Sequence, residues 1–486
     1  MLLYLLCCQR LFELITCTRM FLHLLHLGGT LACNAVGVRS AREASARVGS
    51  LALLHLVSLY LTRQFSFAAD LFGVSLRTYQ LLHQAISLMA VLQTAVHVAT
   101  VLPQMAFSLS DRPLRYGFIG SIMLAAALVV VLPWVRTWSH ELYVHCHSFL
   151  SVAALVMVWM HLKRPRTLHR ICLFAAAILP GLTSAVHIVW VAFCNLRAHR
   201  SLPVAHVVKK AGVVELTFRP SRPWKVCAGQ YIYLTVPGLG FWAVTQAHPF
   251  YIAWTEDGPD GEAVSVTVIV RVRTGFTQAL FLTPHRHLRL IVDGPYGGPK
   301  RKQLLEAAWP YDAVTLIATD IGIAGQLLYA KDLLRRFIAE ENDMNTRGGG
   351  IRRHRINIVW EMKEESHNSW ISDRISQLLA EDSNSLILHY TPYIIRRSDG
   401  NDDATGDGGR DAFNYRKMNV KNVLAKELDE WPRKVLVIVS ATPNARDEAR
   451  EFVLQHNDRL EFQELEFQPS SDLTSFWAPD GTINVV

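Results

Sequence analysis

Four histidines constrain this chain more than any other feature. His83 and His97 lie in one apolar stretch and His147 and His161 in another, each pair separated by fourteen positions. Fourteen residues of α-helix rise about 21 Å and return to within about 40° of the starting face. Two such helices, side by side and parallel, set His83 opposite His147 and His97 opposite His161. That arrangement can clamp two haem irons, each between imidazoles from opposite helices. His145 is sixteen positions from His161, which turns it about 160° off that face, so His147 is the better ligand. His23, His26, His55 and His187 have no partner at this spacing and read as bundle or interface residues.

The apolar runs are concentrated in the first two hundred residues. Spans near 11–36, 48–68, 79–102, 117–135, 143–162 and 170–194 each approach the length that crosses a hydrocarbon core of about 30 Å, which predicts six crossings and membrane lipid as a partner. Arg10, Glu13 and Arg19 interrupt the first, and the start of the chain has no basic leader with a cleavage site. The net charge of +8 is spread through loops flanking these spans, with no basic strip interleaved with aromatics, so nucleic acid is not an expected partner. Of eight cysteines only Cys227 lies outside the apolar region, which fits neither a disulfide framework nor a zinc site.

Beyond residue 200 the pattern changes twice, giving three expected domains: 1–198 in the membrane, 202–300 and 310–486. In the second, short runs at Val213–Phe218, Tyr231–Val236, Pro249–Trp254, Val264–Val272 and Leu288–Val292, punctuated by glycine and proline, predict a small antiparallel β-barrel. In the third, Ala313–Ala318, Ile356–Trp360, Ser385–Tyr390 and Val435–Val439 alternate with helical sequence such as Ile323–Phe337, which predicts a parallel α/β sheet. Glu341–Arg355 and Arg396–Arg410 read as surface insertions.

Along this frame stand His248-Pro249-Phe250, Gly275-Phe276-Thr277, Gly294-Pro295-Tyr296-Gly297, Ala318-Thr319-Asp320-Ile321-Gly322-Ile323-Ala324 and Ser440-Ala441 with Arg446-Asp447. Each motif alone is weak. Their order behind the spaced histidines resembles fungal-type ferric/cupric reductases of the ferric reductase and NADPH oxidase superfamily, over nearly the whole chain. The resemblance implies two haem b groups on His83, His97, His147 and His161, and FAD lined by His248, Pro249, Phe250 and Tyr251. Many relatives carry Thr or Ser where this chain has Tyr251.

Gly275 and Thr277 open a short helix beside Arg271 and Arg273. A helix start and guanidinium groups suit a phosphate, and the resemblance makes this the FAD pyrophosphate site, with Gly294 and Gly297 nearby. Thr319, Gly322 and Ser440 are the expected NADPH contacts. A side chain at Gly322 would intrude on the cofactor and resist any positive φ at the turn. The Ser440 position is often a cysteine in relatives. Phe467 matches an aromatic that covers the flavin in the wider superfamily, against ordinary packing of a last strand.

The implied activity is an NADPH-dependent metalloreductase passing electrons through FAD and two haems to an extracytosolic Fe(III) or Cu(II) chelate, with a metal permease as a candidate partner. No residue is assigned as a general acid or base. Cofactor supply places the soluble part in the cytosol. The loop charges Arg39, Arg42, Arg47, Lys163, Arg164, Arg166 and Arg170 argue for the opposite side. The plasma membrane is the expected location, a vacuolar membrane the alternative. Two other functions stay open: a superoxide-generating NADPH oxidase and a degenerate, non-catalytic membrane paralogue.

Overall fold

The computed structural model describes residues 10–12, 15–104, 110–132, 140–162, 167–197, 201–273, 275–297, 311, 313–347, 354–382, 386–396, 413–431, 433–465, 467 and 469. The chain divides into two compact units, one running from the start through Val189 and the other from Trp190 onward.

The first unit is helical: α1 (Cys17–Ala35), α2 (Ala41–Leu59), α3 (Phe65–Phe72), α4 (Leu76–Val101), α5 (Arg112–Val130), α6 (His140–His161) and α7 (Thr167–Asn195), whose end from Trp190 to Asn195 belongs to the second unit. Ser40 and Ser75 cap α2 and α4 by accepting from the amides of Glu43 and Thr78, satisfying donors that a helix start leaves open. Six crossings are expected, and four helices among the described residues are long and apolar enough: Leu76–Val101, Arg112–Val130, Leu142–His161 and Thr167–Asn195. Helix α2 carries Arg42, Glu43 and Arg47 in its first turns, charges that oppose burial in hydrocarbon. The expected 48–68 span also breaks at Tyr60, and α3 begins anew at Phe65. Leu53, Leu56, Ala90, Leu124, Ala154, Cys172 and Leu173 form the interior of the bundle. Phe149, Ile188 and Val189 are each about two-thirds exposed on its outside, as expected where lipid rather than water surrounds the helices.

The second unit begins with seven antiparallel strands: β1 (Val204–Lys210), β2 (Val213–Phe218), β3 (Gln230–Thr235), β4 (His248–Asp257), β5 (Ala263–Arg271), β6 (His287–Arg289) and β7 (Ile291–Gly297), ordered β6-β1-β2-β5-β4-β3-β7. The outermost strands β6 and β7 are consecutive in the chain with only Leu290 between them. The sheet therefore curls until its two edges meet, the device by which small barrels manage unpaired edges. The single run expected at Leu288–Val292 is thus two strands, because Leu290 leaves the ladder and its amide donates to Pro203 O. Helix α8 (Phe276–Leu282) follows β5.

Next comes a five-stranded parallel sheet of β8 (Ala313–Thr319), β9 (Arg355–Glu364), β10 (Leu388–Arg396), β11 (Val435–Ser440) and β12 (Leu460–Glu464), ordered β10-β9-β8-β11-β12. All seven positions of β8 are buried, the continuous apolar run that a strand covered on both faces requires. The helices are α9 (Ile323–Arg347), α10 (Ser372–Glu381), α11 (Val420–Glu430) and α12 (Pro443–Gln455). Helix α9 runs ten residues past the expected end at Phe337, into the stretch read as an insertion at Glu341–Arg355. Residues 348–353 of that stretch, 397–410 of the second insertion and everything after 469 lie outside the described residues.

Candidate functional site

The bundle brings the four histidines together in the expected pairs. His97 on α4 and His161 on α6 face each other with ring centroids 6.4 Å apart and planes nearly perpendicular, at 79°. His83 shares α4 with His97, and His147 shares α6 with His161; Phe65 sits 4.8 Å from the His83 ring. Three of the imidazoles are held by backbone. His97 Nδ1 donates to Ser45 O at 2.9 Å, His161 Nδ1 to Pro113 O at 2.8 Å and His147 Nδ1 to Ala127 O at 3.2 Å. A carbonyl only accepts, so each bond puts the proton on Nδ1 and the lone pair on Nε2, the state a metal ligand needs.

Two imidazoles bound through nitrogen to one metal at about 2.0 Å would have centroids roughly 6 Å apart, so the His97–His161 separation fits a shared iron. Two glycines make the approach. A Cβ on Gly49 would lie 2.9 Å from His97 Nδ1, and one on Gly117 would lie 2.5 Å from His161 Nδ1. Periodicity could not reveal the carbonyl partners, since every residue offers one. A small residue inside a helix of the bundle is the signal that could have found Gly49 and Gly117.

In the barrel, His248, Pro249, Phe250 and Tyr251 open β4 and are all buried. His248 stacks on Phe276 at the start of α8 with centroids 4.2 Å apart. Tyr251 departs furthest from the contact expected of it. Its hydroxyl accepts from the amide of Phe467 at 2.7 Å, while its ring meets Phe467 at 5.5 Å and Tyr231 at 6.4 Å. Phe467 in turn stands edge-on to Tyr231 at 4.5 Å and is 1% exposed. Gly325, at the start of α9, makes room for Tyr251, whose Cδ2 would lie 3.0 Å from a Cβ there. Tyr231 also fills the space beside Gly297, where a Cβ would come within 2.6 Å of its ring, and Gly294 backs onto Ile232 and Tyr231 O. These two glycines serve the packing of the barrel.

Gly275 precedes α8 at φ 72°, and a Cβ there would meet nothing within 4 Å. Thr277 is fully buried, its hydroxyl accepting from the amide of Arg273 at 2.8 Å, so its side chain shapes the turn. Burial lowers the pKa of both Arg271 and Arg273, and for Arg273 the neighbouring Arg271 charge adds to the effect. Two adjacent half-buried guanidinium groups beside open space suit a diphosphate. Arg271, however, is ion-paired with Asp320, a partner its sequence neighbourhood did not suggest.

Thr319, Gly322 and Ser440 do converge at the carboxyl end of the parallel sheet, where β8 and β11 lie side by side and Ala318 pairs with Ser440. Thr319 Oγ1 accepts from Thr442 N at 2.7 Å. A Cβ on Gly322 would strike Ser440 O and approach Ser440 Oγ at 2.9 Å. The positive φ of this turn falls on Asp320, at 51°, and not on Gly322. What Gly322 supplies is close packing of the turn onto β11.

Residues 48–158 match the family model of the ferric reductase like transmembrane component, and residues 200–300 match that of an FAD-binding domain. Over these stretches the chain is similar to ferric/cupric reductases. A probable cell surface ferric reductase of Aspergillus oryzae is 25% identical over 272 residues, 53% of this chain and 34% of that protein. Ferric/cupric reductase transmembrane component 2 of Schizosaccharomyces pombe is 26% identical over 42% of this chain and 36% of its own length. Respiratory burst oxidase homolog protein B of Arabidopsis thaliana is 23% identical over 52% and 31%. The chain thus spans about a third of the length of these relatives. Three of the histidines fall inside the ferric reductase match and His161 lies three residues beyond it. Thr319, Gly322 and Ser440 lie outside both matched stretches.

Proposed function

We propose that this ferric reductase relative is a transmembrane metalloreductase, in three domains (1–198, 202–300 and 310–486) with six crossings, that moves electrons from cytosolic NADPH to an Fe(III) or Cu(II) acceptor across the membrane. The observation that carries the proposal is the pairing of His97 with His161 with each Nδ1 bound to a carbonyl. His83 with His147 would hold the inner haem and His97 with His161 the outer one. Bound FAD would supply the change from hydride to single-electron chemistry, and the haems a route through hydrocarbon. The protein's own part is to fix each imidazole by its backbone bond, to place His248 and Phe276 beside the flavin, and to offer Arg273 and the open space at Gly275 to its diphosphate. Thr319 and Ser440 would border the nicotinamide.

Two histidine ligands for each iron, His83 with His147 and His97 with His161, would leave no open position at the metal for the acceptor. This favours a chelate over oxygen binding at iron. The respiratory burst oxidase similarity keeps superoxide production as the second outcome of the test. The test uses sealed vesicles containing the full chain. A reduced-minus-oxidised spectrum should show a b-type band, and NADPH on the side of the soluble part should reduce a ferric chelate on the other. Superoxide appearing without added metal would make it an oxidase. No b-type band would overturn the proposal.

A further inference from the structure

The Arg271–Asp320 ion pair joins a barrel strand to the strand-to-helix turn of the parallel sheet, and Asp320 is held there at some cost. Its φ of 51° belongs to the left-handed region, which glycine adopts freely and which Asp and Asn tolerate better than other side chains. The carboxylate is only 7% exposed, so Arg271 is the charge that makes its burial tolerable. The backbone is fixed on both sides: Trp360 Nε1, fully buried, donates to Asp320 O at 2.8 Å, and the amide of Ile323 also donates to that carbonyl. A costly conformation held so firmly is the pattern expected where strain serves a site.

Arg271 stands beside Arg273 and the open space at Gly275, the place that suits a diphosphate. We propose that Asp320 is an internal anion that competes with the FAD diphosphate for Arg271 and thereby sets flavin affinity. This rests on the FAD reading given above. With Asp320 in place, an incoming diphosphate must draw Arg271 away from a buried carboxylate and leave that carboxylate unpaired. Binding therefore gains less from Arg271 than it would at a site without the acid. Asp320 acts on the cofactor only through Arg271 and is a positioning residue.

The test is FAD titration of the full chain in detergent after removal of flavin, read by quenching of FAD fluorescence, with a thermal melt for each variant. Asp320→Asn keeps the size and tolerates the backbone geometry, and should lower the FAD Kd roughly tenfold, within the usual range of coupling between sites. Asp320→Gly, which also relieves the left-handed conformation, should shift Kd the same way. In the presence of Arg271→Gln most of that gain should vanish, which isolates the competition from general loss of negative charge. An unchanged or raised Kd in Asp320→Asn would overturn the proposal, as would an equal gain with and without Arg271→Gln. FAD binding by neither the wild type nor any variant would remove the FAD reading and this proposal together.

Discussion

At His161 the nearest neighbour that matters is a hydrogen atom's worth of space on Gly117. An alanine there would put carbon 2.5 Å from Nδ1, the atom that donates to Pro113 O, and a packed interior does not absorb such an overlap without moving the ring. Gly117→Ala should therefore lose the outer haem and retain the inner one, measured as haem per chain by reduced-minus-oxidised spectra. Gly49→Ala, with 2.9 Å to His97 Nδ1, should have a milder effect in the same direction. Two full haems in Gly117→Ala would detach this glycine from the site. Glu427 gives a second residue-scale prediction. Burial raises its pKa despite opposition from Arg355 and from Asn357, whose Nδ2 donates to it at 2.7 Å. A carboxyl with a raised folded pKa holds its proton longer folded than unfolded. Its contribution to stability falls as pH rises from the ordinary carboxylate range through the raised value. Glu427→Gln should flatten that part of the melting temperature profile and stabilise the protein above it. A profile unchanged by the substitution would assign the dependence elsewhere.

Between elements, the long helix α9 is fastened to the barrel by Lys331, with Arg335 donating to Asp257 Oδ2 at 3.0 Å and Asp332 accepting from Ala228 N at 3.3 Å. Lys331 is 1% exposed, and its Nζ donates to Thr255 O at 2.5 Å, Thr255 Oγ1 at 3.1 Å and Asp257 Oδ2 at 2.9 Å. Lys331→Met fills similar volume but leaves the Thr255 carbonyl without its charged donor, at a cost of about 2–3 kcal/mol, seen as a lower melting temperature with both folds intact. No loss of stability would mean that water replaces the ammonium. None of this was readable from the sequence, where Lys331 is one of many basic residues on an amphipathic helix. Most strands were legible, from short runs bounded by glycine and proline in the barrel and continuous apolar runs in the parallel sheet, while β1 and β12 were not among the runs expected. The histidine pairing was legible too, since helix geometry alone sets its register. Long-range partners were not. The bonding of Tyr251 to Phe467 spans 216 positions, and the pairing of Arg271 with Asp320 depends on how two folds meet.

For the molecule as a whole, the proposed route has an entry, a converter and an exit that can be broken separately. Gly322→Ala would drive a carbon into the backbone of Ser440, displacing the turn that closes the carboxyl end of the parallel sheet. FAD and both haems should remain, dithionite should still reduce the haems, and NADPH should reduce them far more slowly in stopped-flow absorbance. NADPH kinetics equal to wild type would place the nucleotide away from this turn. A larger side chain at Gly322 would add nothing diagnostic, because the first carbon already meets the neighbouring strand.

The curling of the seven-stranded sheet has a colloidal consequence. A sheet edge is a template on which another chain can add a strand. Here one outer strand has three residues, and Asn195 covers the other by accepting from Val292 N at 2.8 Å and donating to Val292 O at 2.6 Å. The parallel sheet guards its β10 edge likewise: Pro392 lies in that strand, and Asn414 lies alongside, donating to Pro392 O at 3.0 Å and accepting from Ile394 N at 2.8 Å. Loss of the Asn195 side chain should then show itself as self-association of folded protein before it shows as unfolding.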